Sequence, residues 1–145
     1  MSAPFSAETA DNLEDIEKQF AVKAVMQAET YWGLLEKIPG SKLKLTQHDD
    51  EIFETLLTDF PEFKDPAVAA RVDESQMKSV AGKAKWRTFC EKFDEIEDYN
   101  FGTLLRVNAN DEYSQDGTIF VVRIQFYAIE IARNRYGLND WAAKK

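Results

Sequence analysis

The stretch TIFVVRIQFYAIEIARNRYG, residues 118–137, constrains the fold most, because the spacing of its apolar side chains changes part-way along. Its first half alternates as a β-strand does, with one face formed by Phe120, Val122, Ile124 and Phe126 and the other by Ile119, Val121, Arg123 and Gln125. Its second half has helical spacing, and Gly137 is a typical helix C-cap. We therefore predict a strand over about 117–125 that runs directly into a final helix over about 126–136.

A second apolar run, FGTLLRV, predicts the partner strand over about 101–107. The polar segment between the two runs, NANDEYSQDG, is rich in turn residues, so the strands are expected to form a hairpin. An isolated two-stranded hairpin is only marginally stable in water, and we expect this one to pack on helices.

Helical periodicity dominates the first hundred residues of the chain. The apolar stripe of residues 13–38 predicts a helix that ends at Pro39, either in one piece or with a bend near Phe20. Thr46 is the expected N-cap of the next helix, which ends before Pro61.

Two further capping signals follow. Asp65-Pro66 predicts a short turn of helix, and Asp73 to Gln76 resembles a capping box ahead of a helix that runs from Met77 to Ile96. Gly82 lies inside that run and weakens it.

Together these elements predict an α+β fold, a mostly helical single domain with a C-terminal β-hairpin. The globular domain is expected over residues 10–138, between a flexible N-terminal segment of residues 1–9 and a short C-terminal tail of residues 139–145.

The charge balance limits the classes of partner. The chain of 145 residues has 26 acidic and 18 basic side chains, a net charge of −8, which argues against direct nucleic-acid binding. A single cysteine, no secretion signal and no apolar run of membrane-spanning length indicate a cytoplasmic, soluble protein. We also expect a monomer, because no long exposed apolar stripe is evident.

No signature of catalysis is present, so we expect neither enzymatic activity nor a cofactor nor a metal. His48 is the sole histidine, and no glycine-rich nucleotide-binding loop occurs. Cys90 follows Phe89 on a predicted helix, which favours a buried core residue over a zinc ligand shared with His48. Asp49 and Asp50 are either paired functional carboxylates or first-turn residues that complement a helix dipole.

Arginines provide the remaining candidates for a binding surface. Arg87 follows Trp86, a pair that fits either a recognition element or a core aromatic with a charged neighbour. Arg106 and Arg123 on the hairpin either form a recognition face for an acidic or backbone-rich partner, or pair with carboxylates of the chain itself. Glu130 and Arg133, three residues apart on a helix, are such a pair.

Three blocks closely resemble the polysaccharide biosynthesis domain-containing protein family of eukaryotes, in its short fungal form. They are KLKLTQHDDEIF, KAKWRTFCEKFDEIEDYNFGTLLR and TIFVVRIQFYAIEIARNRYG, and the resemblance covers residues 20–138. It implies a dedicated chaperone of translation elongation factor 1-alpha, which binds the nascent GTP-binding domain of its client at the ribosome. The nascent polypeptide-associated complex is the implied adaptor.

The resemblance also directs the choice of contact residues. Polar positions within the matching blocks become candidates for client binding: Asp49, Asp50, Arg87, Arg106, Arg123, Gln125, Glu130, Arg133 and Arg135. Phe5 and Trp141, near the ends of the chain, become candidates for docking an adaptor. Two other functions stay open: a glycan-related methyltransferase, as the family name suggests, and an adaptor without folding activity. The missing glycine-rich loop disfavours the methyltransferase.

Overall fold

The computed structural model describes the backbone of residues 10–144 and the side chains of residues 22–143. Five helices precede a two-stranded antiparallel sheet, which leads into a sixth helix and a short 3-10 helix. This arrangement confirms the predicted α+β fold, mostly helical with a C-terminal hairpin and helix. The segment predicted to be flexible, residues 1–9, lies outside the described residues.

Helix α1 (Ala10–Lys37) is a single element, so the alternative with two helices is not observed. Its buried side carries side chains three or four positions apart, as a helix packed on one face requires: Ala24, Ala28, Tyr31 and Leu35. The small alanines allow close packing against the hairpin, where Thr103 donates its hydroxyl to the side-chain carbonyl of Gln27.

Helix α2 (Asp49–Asp59) begins later than Thr46 would place it, and its N-cap residue is His48. The Thr46 hydroxyl accepts the His48 N–H at 2.8 Å and donates to the Asp49 carboxylate at 2.8 Å. Thr46 therefore closes the turn before the helix and does not cap it. The predicted end at Pro61 is confirmed, since that proline opens a 3-10 helix.

Helices α3 (Pro66–Ala70) and α4 (Glu74–Met77) begin where the capping signals predict. Asp65 accepts the N–H of Ala67 at 2.9 Å, and Asp73 accepts the N–H of Gln76 at 3.2 Å.

The single helix predicted for residues 77–96 is wrong, because helix α5 (Val80–Glu91) starts afresh and ends early. Ser79 is the new N-cap, and its hydroxyl accepts the N–H of Gly82 at 3.0 Å. A Cβ at Gly82 would lie 2.0 Å from the carbonyl oxygen of Gln76. The glycine therefore permits the close turn between α4 and α5.

Strands β1 (Gly102–Arg106) and β2 (Thr118–Val122) pair with Leu104 opposite Phe120. Within β2 the predicted alternation is confirmed, since Ile119 and Val121 are buried on one face and Phe120 is 48% exposed on the other. Its predicted continuation past Val122 is wrong. The reason is that Ile124 and Phe126, counted with Phe120 on an apolar strand face, belong to the following helix and are buried there.

Helix α6 (Arg123–Arg135) begins three residues earlier than predicted, so Arg123 and Gln125 are helical residues. The Gln125 side-chain oxygen accepts the N–H of Val122 at 3.0 Å, as the third helical residue of a capping box does. Gly137, with φ of 73°, follows the end of α6 in the left-handed conformation that its C-cap role predicts.

The chain after α6 differs from the predicted tail, because a 3-10 helix (Asp140–Lys144) packs against α1. The carboxylate of Asp140 accepts the N–H of Ser41 at 2.9 Å and its hydroxyl at 2.8 Å. Asn139 and Ala142 are buried. Residues 139–144 thus belong to the folded unit.

The core has an aromatic half between α2 and α5. The rings of Phe60 and Trp86 stack with centroids 4.2 Å apart, and Phe89 packs edge-on against both. Helix α6 forms the other half and packs against α2, α3, α5 and both strands. Its central position determines where its charged side chains lie.

Candidate functional site

Arg106, at the end of β1, is fully buried, although it was a candidate for client contact. One terminal nitrogen, Nη1, donates to the carbonyls of Ala109 at 2.9 Å and Asp111 at 3.0 Å. The other, Nη2, donates to the side-chain oxygen of Asn139 at 2.7 Å and lies 3.3 Å from a Glu130 oxygen. The guanidinium therefore closes the loop between the strands and ties it to α6.

Glu130 and Arg133 on α6 are also fully buried, and their predicted pairing is confirmed by an Nη1–Oε2 distance of 2.9 Å. Arg133 further donates from Nε to the carbonyl of Ala69 at 2.7 Å and from Nη2 to that of Val107 at 3.1 Å. One side chain thereby connects α3, α6 and the chain after β1. In this conformation Arg106, Glu130 and Arg133 have no surface to offer a client.

Three polar side chains that sequence reasoning missed complete this buried group. The Tyr31 hydroxyl donates to Glu130 Oε1 at 2.8 Å, and Asn139 Nδ2 donates to the same oxygen at 2.8 Å. Asn134 Nδ2 donates to the Tyr31 hydroxyl at 3.3 Å. We call these six residues the buried ionic cluster: Tyr31, Arg106, Glu130, Arg133, Asn134 and Asn139.

The cluster keeps its carboxylate ionised. Burial raises the pKa of Glu130, but the charges of Arg106 and Arg133 outweigh it and hold the pKa below its ordinary value. Burial and the neighbouring Glu130 charge raise the pKa of Tyr31 well above its ordinary value. At neutral pH the cluster therefore contains one carboxylate, one neutral phenol and two guanidinium groups.

Aromatic rings lie beside the Arg106 guanidinium. The Arg106 guanidinium lies 5.3 Å from the ring centre of Trp32 and 5.7 Å from that of Tyr113. Trp141, a candidate for adaptor docking, is half-buried and donates its indole N–H to the Ala109 carbonyl at 2.9 Å. Its docking role remains a prediction, and Phe5, the other candidate, lies outside the described residues.

Asp50 and Arg135 are the predicted contact residues that the fold brings together at the surface. They lie 85 positions apart in sequence and form a hydrogen-bonded ion pair, with side chains 85% and 39% exposed. The hydrogen bond and charge of Arg135 lower the pKa of Asp50. Arg135 also lies over the ring of Phe53, 5.1 Å from its centre.

This exposed pair borders a cleft of about 560 Å³ between α2, α6 and the Gly40–Lys42 3-10 helix. Polar groups contribute somewhat more of its lining than apolar groups, and the apolar side chains there include Leu43 and Ile131. The other lining residues include Ser41, Lys44, Gln47, Asp49 and Asn134. The cleft therefore suits a polar, charged segment better than an apolar ligand.

Asp49 lines the cleft, but its carboxylate is already hydrogen-bonded to backbone groups of this chain. Its carboxylate accepts the N–H of Leu45 at 2.8 Å and the N–H of Thr46 at 2.7 Å, and the side chain is buried. Gln125 is committed to the α6 cap, and Arg123 is half-buried at the first residue of that helix. Of the predicted contact residues at the cleft, Asp50 and Arg135 therefore remain exposed and exchangeable, and Lys44 adds a further exposed charge to the lining.

Three further residues named in the sequence analysis lie on α5. Trp86 is buried in the core, whereas Arg87 is exposed beside it, and the role of Arg87 in client contact remains a prediction. Cys90 is buried as predicted, and burial, with a smaller contribution from Glu91, raises the pKa of its thiol to about 12.

Among the described residues, no group of three or more potential ligands is placed to hold a metal ion. No helix there is both long and apolar enough to span a bilayer.

Comparison with known proteins identifies the family. The profile of the PBDC1 protein family matches residues 16–144. The chain belongs to this family. PBDC1 abbreviates the polysaccharide biosynthesis domain-containing proteins, so the resemblance of the three sequence blocks is confirmed at the level of the family.

Relatives within the PBDC1 family span fungi and mammals. The chain is 60% identical over 145 residues to the Protein PBDC1 homolog of Schizosaccharomyces pombe, with 99% of each protein covered. It is 62% identical over 138 residues to the Saccharomyces cerevisiae homolog, covering 94% of each. Protein PBDC1 of Mus musculus is 44% identical over 133 residues, which are 91% of this chain and 65% of the mouse protein.

A solved structure shows the same fold. The solution NMR structure of a Saccharomyces cerevisiae protein superposes with a TM-score of 0.86 at 60% identity and covers 97% of both chains. The names of the PBDC1 relatives indicate no catalytic activity.

Proposed function

We propose that the protein is an ATP-independent chaperone dedicated to one client, the nascent GTP-binding domain of translation elongation factor 1-alpha. It binds that domain as it emerges from the ribosome and protects it from misfolding and aggregation. The nascent polypeptide-associated complex brings the chaperone to the ribosome, because a net charge of −8 disfavours direct contact of the chaperone with ribosomal RNA. The family resemblance supplies the client, and the cleft supplies the means of binding.

The observation that carries the proposal is the Asp50–Arg135 pair at the cleft. Both side chains are exposed, so their mutual attraction is screened by water, and a client can replace each partner with little loss. A basic side chain of the client then pairs with Asp50, and an acidic one with Arg135. The buried ionic cluster stays intact during this exchange because none of its hydrogen bonds involves the exposed pair.

Release of the client follows from competition between the client and the internal Asp50–Arg135 ion pair. A protein that binds an unfinished client lowers the concentration of the free, aggregation-prone form by mass action. When the client folds and its charged segment pairs internally, it no longer supplies partners for Asp50 and Arg135. The cleft pair then re-forms, and no nucleotide hydrolysis by the chaperone is required.

The test is a pull-down of the tagged protein from translating cells, with sequencing of the ribosome-protected messages. Enrichment confined to elongation factor 1-alpha messages, starting once the GTP-binding domain has emerged, is expected. No enrichment of any message contradicts the proposal.

Charge variants connect that result to the cleft. Arg135→Glu should abolish the enrichment, and the double variant Asp50→Lys with Arg135→Glu should not restore it although it restores an ion pair. Lys83→Glu reverses an exposed charge on α5 and should leave the enrichment unchanged. Recovery in the double variant would mean that the pair serves the fold and not the client.

A further inference from the structure

Strand β2 is an edge of the two-stranded sheet, and over the described residues no other strand pairs with it. Val107 donates its N–H to the carbonyl of Gly117 at 2.8 Å, and this bond flanks the Arg106–Thr118 pair, as it does beside a non-hydrogen-bonded pair of an antiparallel ladder. Such pairs alternate with hydrogen-bonded pairs, so Ile119 and Val121 turn their backbone groups toward β1. Phe120 therefore turns its N–H and C=O outward, away from β1.

The side chain of Phe120 adds an apolar surface to this edge. It is 48% exposed and faces Leu104 on the outer side of the sheet. Its ring lies across Gly102, where a Cβ would come within 2.3 Å of ring atom Cε2. Val122 is half-buried on the same face. An edge strand with an apolar face is a template for pairing with another extended chain.

The charge of the loops that flank the hairpin indicates what kind of polypeptide segment would pair with β2. Between residues 94 and 122 the only cation is Arg106, which is buried. Seven exposed carboxylates occupy the loops at the two ends of the hairpin, and they are Asp94, Glu95, Glu97, Asp98, Asp111, Glu112 and Asp116. Arg123, just after β2, is half-buried. Residues 94–122 therefore carry seven acidic side chains and one basic side chain, a net charge of −6, against −8 for the whole chain.

We propose that the edge of β2 binds an extended, basic segment of a partly folded protein as a third strand. The segment pairs its backbone with the outward groups of Phe120 and packs an apolar side chain on the ring. Its lysines or arginines lie near the carboxylates at either end, which also steer its approach. The same carboxylates repel a second copy of this chain and a nucleic acid. The identity of the client rests on the function proposed above, whereas the surface itself does not.

The direct test is an NMR titration of the full chain with a short synthetic peptide that alternates valine with lysine. We expect shifts at the amides of residues 118–122 and slower hydrogen exchange at Phe120. A matched peptide with glutamate in place of lysine should not bind, and raising the salt concentration tenfold should weaken binding of the lysine peptide. Absence of binding, or equal binding of the glutamate peptide, overturns the proposal.

Two variants at one position separate the ring from the backbone. Phe120→Ala removes the ring and should weaken binding about tenfold. Phe120→Pro removes the outward N–H as well, at an edge position that tolerates proline, and should weaken binding about fivefold more. Val80→Ala, which trims an 89% exposed apolar residue on α5, is the matched control and should change nothing.

Four outcomes distinguish the proposed binding surface from the proposed chaperone function. Equal affinity of the parent chain and Phe120→Ala overturns the surface, and so does a Phe120-dependent dimer of the free chain in sedimentation. Message enrichment that persists in Phe120→Pro overturns the use of this surface for the proposed client but leaves the chaperone function standing. Peptide binding at Phe120 without any message enrichment supports the surface and contradicts the function.

Discussion

Replacing Glu130 with glutamine tests whether the buried ionic cluster determines the stability of this fold. The carboxylate accepts hydrogen bonds from Tyr31 at 2.8 Å, Asn139 at 2.8 Å and Arg133 at 2.9 Å, and Arg106 lies 3.3 Å away. Glutamine keeps the shape but removes the negative charge. Two buried guanidinium groups then face each other without a counter-ion.

The expected magnitude follows from that geometry. Removing one partner of a fully buried ion pair costs about 3–5 kcal/mol, because the remaining charge is uncompensated. A domain of this size has a total free energy of unfolding of about 5–15 kcal/mol, so the variant should still fold but with a large loss. Urea unfolding, followed by tryptophan fluorescence and circular dichroism, measures the difference. Glu54→Gln, at an exposed position on α2, should stay within about 0.5 kcal/mol of the parent chain.

The effect should also depend on pH in a defined direction. Because the folded-state pKa of Glu130 is lowered, its stabilisation is present above the ordinary glutamate pKa of about 4.3 and is lost as the pH falls through the folded value. The glutamine variant has no proton to gain there. Its deficit should therefore shrink below about pH 4. A deficit under about 1 kcal/mol at neutral pH, or one that stays constant on acidification, would refute the role assigned to this carboxylate.

Three other predictions concern the interior. Tyr31→Phe leaves Glu130 and Asn134 each without one hydrogen bond and should cost about 1–3 kcal/mol in the same urea assay. Because burial raises the pKa of Cys90 to about 12, a thiol reagent at pH 8 should label the unfolded protein but not the native one, as mass spectrometry would show. Gly82→Ala places a methyl group 2.0 Å from a backbone oxygen, so it should lower the free energy of unfolding by about 1–3 kcal/mol and the thermal midpoint by several degrees. An unchanged midpoint would mean that the turn between α4 and α5 adapts.

The helix ends that the sequence predicts correctly are determined by contacts between neighbouring residues. Asp65 and Asp73 cap helices through their own neighbours, and Gly137 terminates α6 through its own backbone. The start of α6 was predicted too late because a β-branched run continues in strand alternation through Ile124. What ends the strand is the Gln125 side chain, which accepts the N–H of Val122. That signal is local too, and a glutamine three residues after a candidate cap would have found it.

The buried ionic cluster could not be predicted in the same way, because its contacts join distant parts of the chain. Tyr31 and Glu130 are 99 positions apart, and Arg133 reaches Ala69 across 64 positions. Only a weak signal exists for Tyr31, which shares the apolar side of α1 with Ala24, Ala28 and Leu35. A charge inside an apolar run fits an exposed recognition group and a compensated buried ion equally well until its partners are known.

This ambiguity explains why the most specific part of the sequence was a misleading guide to contact residues. Burying Arg106, Glu130 and Arg133 requires each charge to have matched partners, so few substitutions are compatible with the fold. The two surfaces proposed for binding place weaker demands on the sequence, since the exposed Asp50–Arg135 pair and the backbone edge at Phe120 need only charge and extended geometry. In this protein, strict sequence requirements therefore indicate the framework, and client contact is to be sought where the chain is exposed and its charges are exchangeable.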